Sequence, residues 1–245
     1  MVKKGDTLIE VTLAVGIFSL VAIAVVAVVN SSTSGAQSSL ETTLAREEID
    51  SQAEALRFIQ ASYVNSGTAN KVTATNKYKT LWQNITSRAA EPNTRLDYNP
   101  SSCQELYDMS SASILKQNST FIINPRKLGS DDVDSIVVSA ITNASLFNIA
   151  STYPRIIYEG STTGDLLSEG NNNITRVEGL YVMAVKGPET MVVPEGGSTA
   201  AKTASAYFDF YIRSCWYAPG ANTPSTISTV IRLHNPDVVK VNSVN

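Results

Sequence analysis

Residues able to do chemistry are few and scattered in this 245-residue chain. His234 is its only histidine, so no paired-histidine metal site can form. Lying between an apolar run and Asn235-Pro236, it reads as a surface residue after a last strand rather than the base of a triad. Ser130-Asp131-Asp132-Val133-Asp134 is the densest acidic cluster and has the charge to touch Ca²⁺. It lacks the alternating Asp/Asn pattern and the closing Glu of a calcium loop, and reads as a solvated loop. Gly196-Gly197 is followed by no Gly-Lys-Ser/Thr and makes no phosphate loop. No catalytic group, metal site or cofactor is expected, and the chain does not read as an enzyme. Asn-x-Ser/Thr triplets, among them those beginning at Asn84, Asn118, Asn143 and Asn173, arise by chance in an Asn/Ser/Thr-rich chain. Cys103 and Cys215 are the only cysteines. They read as one disulfide in an exported domain and as two unrelated thiols in a cytosolic one. That leaves Glu10, a carboxylate at the mouth of a long apolar run. Inside a bilayer it would cost about 2.5–3.5 kcal/mol, less near the interface, so it points to a function and needs a partner.

The element that positions Glu10 is the run 11–29, VTLAVGIFSLVAIAVVAVV, which holds no charge and is interrupted only by Thr12, Gly16 and Ser19. As a helix it measures roughly 28 Å, about the hydrocarbon thickness of a membrane. Lys3 and Lys4 put its N-terminal end in the cytoplasm by the positive-inside rule. No small-residue cleavage step follows Val29 before Asn30-Ser31-Ser32, which distinguishes the run from a secretory signal.

Gly5-Asp6-Thr7-Leu8-Ile9-Glu10, with the basic leader before it and the apolar run behind it, resembles the N-terminus of a type IV prepilin. The resemblance implies cleavage between Gly5 and Asp6 by a prepilin peptidase, with the helix retained in the mature protein. It also implies assembly with identical or related subunits by a machinery in the cytoplasmic membrane. The chain is then first single-pass, with its N-terminus cytoplasmic, and afterwards part of an extracellular filament serving attachment or motility. In the mature chain Glu10 would lie about one turn from the new amino terminus at Asp6. The positive helix end and a neighbouring subunit's ammonium are its natural partners, and the carboxylate of Asp6 competes for the same ammonium. Asp6 departs from the family, which most often has Phe there, and methylation of the new amine is not carried over. In an exported chain of this kind Cys103 and Cys215 are expected to be bonded. Two other readings keep part of the pattern. A pseudopilin of a secretion or DNA-uptake system keeps all of it. A non-polymerising membrane-anchored adhesion domain accounts for the apolar run but not for Gly5 or Glu10.

The remaining sequence suits an α+β head on a helical spine. A net charge of −3 with no lysine–arginine cluster beyond Lys3-Lys4 argues against a dedicated nucleic-acid surface. No internal repeat is visible. The expected organisation is a leader 1–5, a membrane and filament-core helix 6–35, an amphipathic helix 36–63 packed on the head, and a head 64–245. Asn30 to Gly35 is expected to loosen the helix, and Asn65-Ser66-Gly67 to end it. Between them Leu40, Leu44, Ile49, Ala53, Leu56, Ile59 and Tyr63 recur at helical spacing. Arg46 and Arg57 beside Glu47, Glu48 and Asp50 read as solvated surface pairs. Tyr78, Leu81, Trp82 and Ile85 suit a short helix lying on a sheet, and 104–116 a second one. Runs 121–123, 135–141 and 153–158 are β-like. Three stronger runs, 176–186, 206–217 and 226–233, are separated by Pro and Gly and read as an antiparallel meander. In the middle run Phe208, Phe210 and Ile212 face one way, and Asp209 and Arg213 the other.

Overall fold

A computed structural model describes residues 6–68, 77–91, 103, 120–139, 144–150, 152–159, 173–192, 202–218 and 221–239. The expected helix over 104–116 and the sequons at Asn118 and Asn143 lie outside them. The architecture is α+β, with a long N-terminal helix and an antiparallel sheet of five strands. The chain divides into two compact units, Met1–Thr43 and Leu44–Asn245.

Helix α1 is Asp6–Thr68. The polar stretch Asn30 to Gly35 does not loosen it. Thr33 Oγ1 donates to the carbonyl of Val29 at 2.9 Å, and Thr42 and Thr43 do the same to Ser38 and Ser39. Hydroxyls that return to the carbonyl four residues back occupy the group that would otherwise seek water. Nor does Asn65-Ser66-Gly67 break the helix, which ends at Thr68. Leu40, expected in the buried stripe, is 59% exposed.

In the second unit, α1 contributes Ile49, Ala53, Leu56, Ile59 and Tyr63 to the main core. Helix α2, Lys77–Thr86, adds Leu81, Trp82 and Ile85. Trp82 meets the rings of Phe208 and Phe210, each at 5.9 Å between centroids, and so lies on the sheet as its spacing predicts.

The strands are β1 (Thr120–Ile123), β2 (Val137–Ser139), β3 (Phe147–Asn148), β4 (Arg155–Glu159), β5 (Asn173–Glu178), β6 (Leu180–Lys186), β7 (Glu189–Val192), β8 (Lys202–Ser205), β9 (Tyr207–Trp216) and β10 (Ser225–His234). The large sheet has the order β10-β9-β6-β1-β2 and is antiparallel throughout. A three-stranded sheet has the order β3-β5-β4, and β7 pairs β8 as a hairpin. Phe208, Phe210 and Ile212 of β9 join Val182 and Ala184 of β6 in the core beneath the helices.

The opposite face of the large sheet is covered too. Ala90 bonds across to β6, its N–H to Ala184 O and its carbonyl to Lys186 N–H, both at 2.9 Å. Met183 and Val185 are buried with it. Further along, Tyr181 packs against Cys103 and Cys215, which are joined as a disulfide with their Cα atoms 5.7 Å apart. Cys103 N–H also donates to Tyr217 Oη at 3.2 Å. Buried on both faces, β6 reads as the uninterrupted apolar run LYVMAV rather than an alternation.

The run 176–186 is not one strand. Gly179, with φ +65°, divides it between the two sheets. Its N–H donates to Asn148 O beside β3 at 2.9 Å, and its carbonyl accepts from Cys215 N–H in β9 at 2.8 Å. A Cβ here would lie 2.3 Å from Cys215 O and 2.7 Å from Ala150 Cβ. Gly179→Ala is therefore expected to cost about 2–3 kcal/mol, from the left-handed backbone and the overpacking together. A thermal melt of the full-length chain checks it, since an unchanged midpoint would mean that the joint relaxes freely.

Candidate functional site

The candidate site is the first unit's helix with its N-terminal motif. Gly5 lies outside the described residues, and Asp6 is the first residue of α1. Glu10 follows four residues later, exposed on the helix surface. Behind it, the large apolar side chains from Leu8 to Val29 are each between 55% and 74% exposed. A core helix of a soluble domain would hide such a stripe, whereas here the apolar surface runs all round the helix. This helix is long and apolar enough to cross a membrane.

The polar interruptions do not spoil that surface. Thr12 Oγ1 donates to Ile9 O at 2.9 Å, and Ser19 Oγ to Val15 O at 2.8 Å. Each hydroxyl is satisfied within its own helix, the condition for tolerating it in hydrocarbon. The sequence carried this signal in the placing of a single Thr or Ser three or four residues after an apolar residue whose carbonyl accepts from it.

In the second unit the helix is tied to the large sheet by Gln52, a polar side chain that no sequence pattern marks. Gln52 is fully buried. Its Nε2 donates to Ile123 O and its Oε1 accepts from Ile123 N–H, both at 2.9 Å. The register of β1 with β6 covers only Thr120 and Phe121. Gln52 thus serves Ile123 as a strand partner would, where β1 is no longer paired with β6. One turn earlier on the same helix stands Glu48, for which the backbone of Ile156 in β4 is a source of pKa lowering that burial outweighs. Glu48 is half-buried and is not the solvated surface charge its neighbours suggest. Burial, above all, raises its pKa above the ordinary 4.5. Arg57 pairs instead with Glu54 at 2.5 Å, and that pair is solvated.

The other sequence candidates are placed as follows. Asp132 caps a short 3-10 turn by accepting from Asp134 N–H at 3.2 Å. Lys77 Nζ donates to Gly129 O and Ser130 O at 3.1 and 2.8 Å and lies 3.9 Å from Asp131. An ammonium therefore takes the carbonyls beside the acidic cluster, and among the described residues no group of three or more side chains could hold a metal ion. His234 ends β10, exposed, and its carbonyl accepts from Gln60 Nε2 at 2.8 Å. Asn84 sits in α2, where its side-chain oxygen accepts from Arg88 Nε at 3.1 Å. Glu178 is buried between Arg155 and Arg176, at 3.0 and 2.9 Å. This compact ionic cluster orders the edge of the small sheet.

Compared with models of known protein families, with characterised proteins and with solved structures, the chain shows no match. The class that fold and site define is accordingly a physical one. It is an α+β domain whose N-terminal helix carries a fully exposed apolar surface of membrane length and whose head holds a disulfide.

Proposed function

We propose that this chain is a structural subunit of a type IV pilus-like filament, processed after Gly5 and assembled through its N-terminal helix. The observation that carries the reading is the helix of residues 8–29, apolar and exposed on every side, with Glu10 at its head and Gly5 before Asp6. Such a surface has two physical covers, lipid and other apolar helices. A filament subunit uses both in turn. Exchanging lipid for neighbouring helices of similar polarity is close to neutral, so packing and polar contacts decide the outcome. A permanent membrane anchor uses only lipid and gives Gly5 and Glu10 no task. The disulfide suits an oxidising compartment and so supports a head outside the cytoplasm.

The test is the mature N-terminus, read by mass spectrometry of cell-surface material. The proposal expects a chain beginning at Asp6. A chain beginning at Met1, or after residue 29, overturns it.

A further inference from the structure

We infer that β10 is the edge along which the head pairs with a second copy of itself, the two strands running antiparallel about a two-fold axis at Val230. β10 is the end strand of the large sheet, and its register with β9 runs unbroken from Ser225 to His234. The ladder continues one step further, where Asn235 N–H donates to Ala206 O at 3.0 Å. Along an antiparallel pair, hydrogen-bonded and non-bonded residues alternate. The odd-numbered residues of β10 therefore turn their N–H and carbonyl groups to β9, and the even-numbered ones turn theirs to the open side. At His234 that side is met by Gln60, whose Nε2 donates to the carbonyl at 2.8 Å. Among the described residues no strand pairs with the edge from Thr226 to Arg232.

Long edges are ordinarily guarded by a proline, a bulge or a charge. Residues 225–234 hold no proline and no bulge, and Arg232 is their one permanent charge. That charge does not face the open side. Its Nε and Nη2 both donate to the Asp209 carboxylate at 2.8 Å, and its guanidinium lies 3.8 Å from the centre of the Tyr207 ring. Both partners stand on β9. At the middle of the open stretch is Val230, 50% exposed. Among the described residues it is the one large apolar side chain outside α1 that is exposed.

A strand that covers this edge must offer an open edge of matching length. Among the described residues β10 alone does so. β2, at the far end of the sheet, has three residues, all buried. β4 has five and breaks its register between Ile157 and Tyr158, and β7 and β8 have four each. β10 is complementary to itself. With the two-fold at Val230, that residue faces its own copy, Ser228 faces Arg232, and Thr226 faces His234. All are even-numbered, so the open main-chain groups meet across the joint and the exposed side chains share one face. The two valines cover each other, and no like charges stand opposite. A two-fold contact closes on the pair, so the inference does not depend on assembly through α1.

Single cysteines in the full-length chain in detergent micelles, mildly oxidised and resolved on non-reducing gels, test the pairing. The variants are Thr226→Cys, Ser228→Cys, Val230→Cys and Arg232→Cys. In such a pair facing Cα atoms are about 5.5 Å apart, within reach of a disulfide. Residue 226 faces position 234 of the copy, so its own counterpart lies about 27 Å away along the strand. Val230→Cys is therefore expected to cross-link at least about ten-fold more than Thr226→Cys, with peptide mapping showing residue 230 joined to residue 230 and Cys103–Cys215 intact. Adding Ser228→Pro removes an N–H on the open side and none of the β9 ladder. It should cut the Val230→Cys yield to the Thr226→Cys level without lowering the melting midpoint; if the midpoint falls, the profile of yield against position decides alone. A flat profile, a maximum at another position, or a Val230→Cys yield that Ser228→Pro leaves unchanged overturns the inference.

Discussion

Replacing Glu10 by alanine is expected to leave a subunit that is inserted and trimmed but stays in the membrane instead of entering filaments. Glu10 is exposed on α1, four residues after the proposed new terminus at Asp6. Near the membrane interface water and the helix end can attend to its charge. Inside a packed bundle of apolar helices they cannot, and the proposed partner is the ammonium of a neighbouring subunit. Leaving that ammonium without its carboxylate in a water-poor core costs roughly 3–5 kcal/mol. At about 1.36 kcal/mol per decade this lowers the docking equilibrium of each subunit by roughly two to four orders of magnitude. Asp6→Ala should act more mildly, since its carboxylate competes for the same ammonium. The ratio of sheared filament to membrane-bound subunit measures both. A normal filament yield from Glu10→Ala would show that this charge pairing does not drive assembly.

The second large effect is expected from the disulfide. Cys103 and Cys215 are 112 residues apart in sequence, and a closed loop of that size contributes about 4–5 kcal/mol in the chain-entropy model. Both cysteines are fully buried, against Tyr181 on the outer face of the large sheet. Opening the bond therefore also loosens the packing of Cys103 on Tyr181. The double substitution to alanine is expected to lower the melting midpoint by on the order of 10–15 °C. Calorimetry of the oxidised full-length chain against the variant checks it. Non-reducing peptide mapping of surface-derived protein should recover the Cys103–Cys215 peptide pair, and two free thiols there would contradict the bond.

The parts legible in the sequence are those where one physical signal acts alone. The apolar run gives the membrane-length part of the first helix, the Leu81-Trp82-Ile85 spacing gives α2, and the alternation Phe208-Asp209-Phe210 gives β9. Where two environments meet in one run, the sequence misleads. RVEGLYVMAVK reads as one strand because nothing in its pattern says that Gly179 hands the chain from one sheet to another. Only the left-handed backbone and the approach of Cys215 O show it. Glu48 looks like its solvated neighbours Glu47 and Asp50 because helical periodicity places it at the margin of the buried stripe. The edge strand that covers it lies more than a hundred residues away. Gln52 was illegible for the same reason, as its partner is a backbone position in β1. Asn30 to Gly35 has the composition of a loop. The propagating helix on either side keeps it helical, and Thr33 satisfies its hydroxyl backward on Val29 O without leaving it.

Electron cryomicroscopy of filaments sheared from cells that produce this chain tests the central claim most directly. The account predicts filaments built from it, with the helices of residues 8–29 packed together in the core and the disulfide-bonded heads outside. Filaments that lack this chain, while it remains in the membrane fraction with residues 8–29 in lipid, would contradict it.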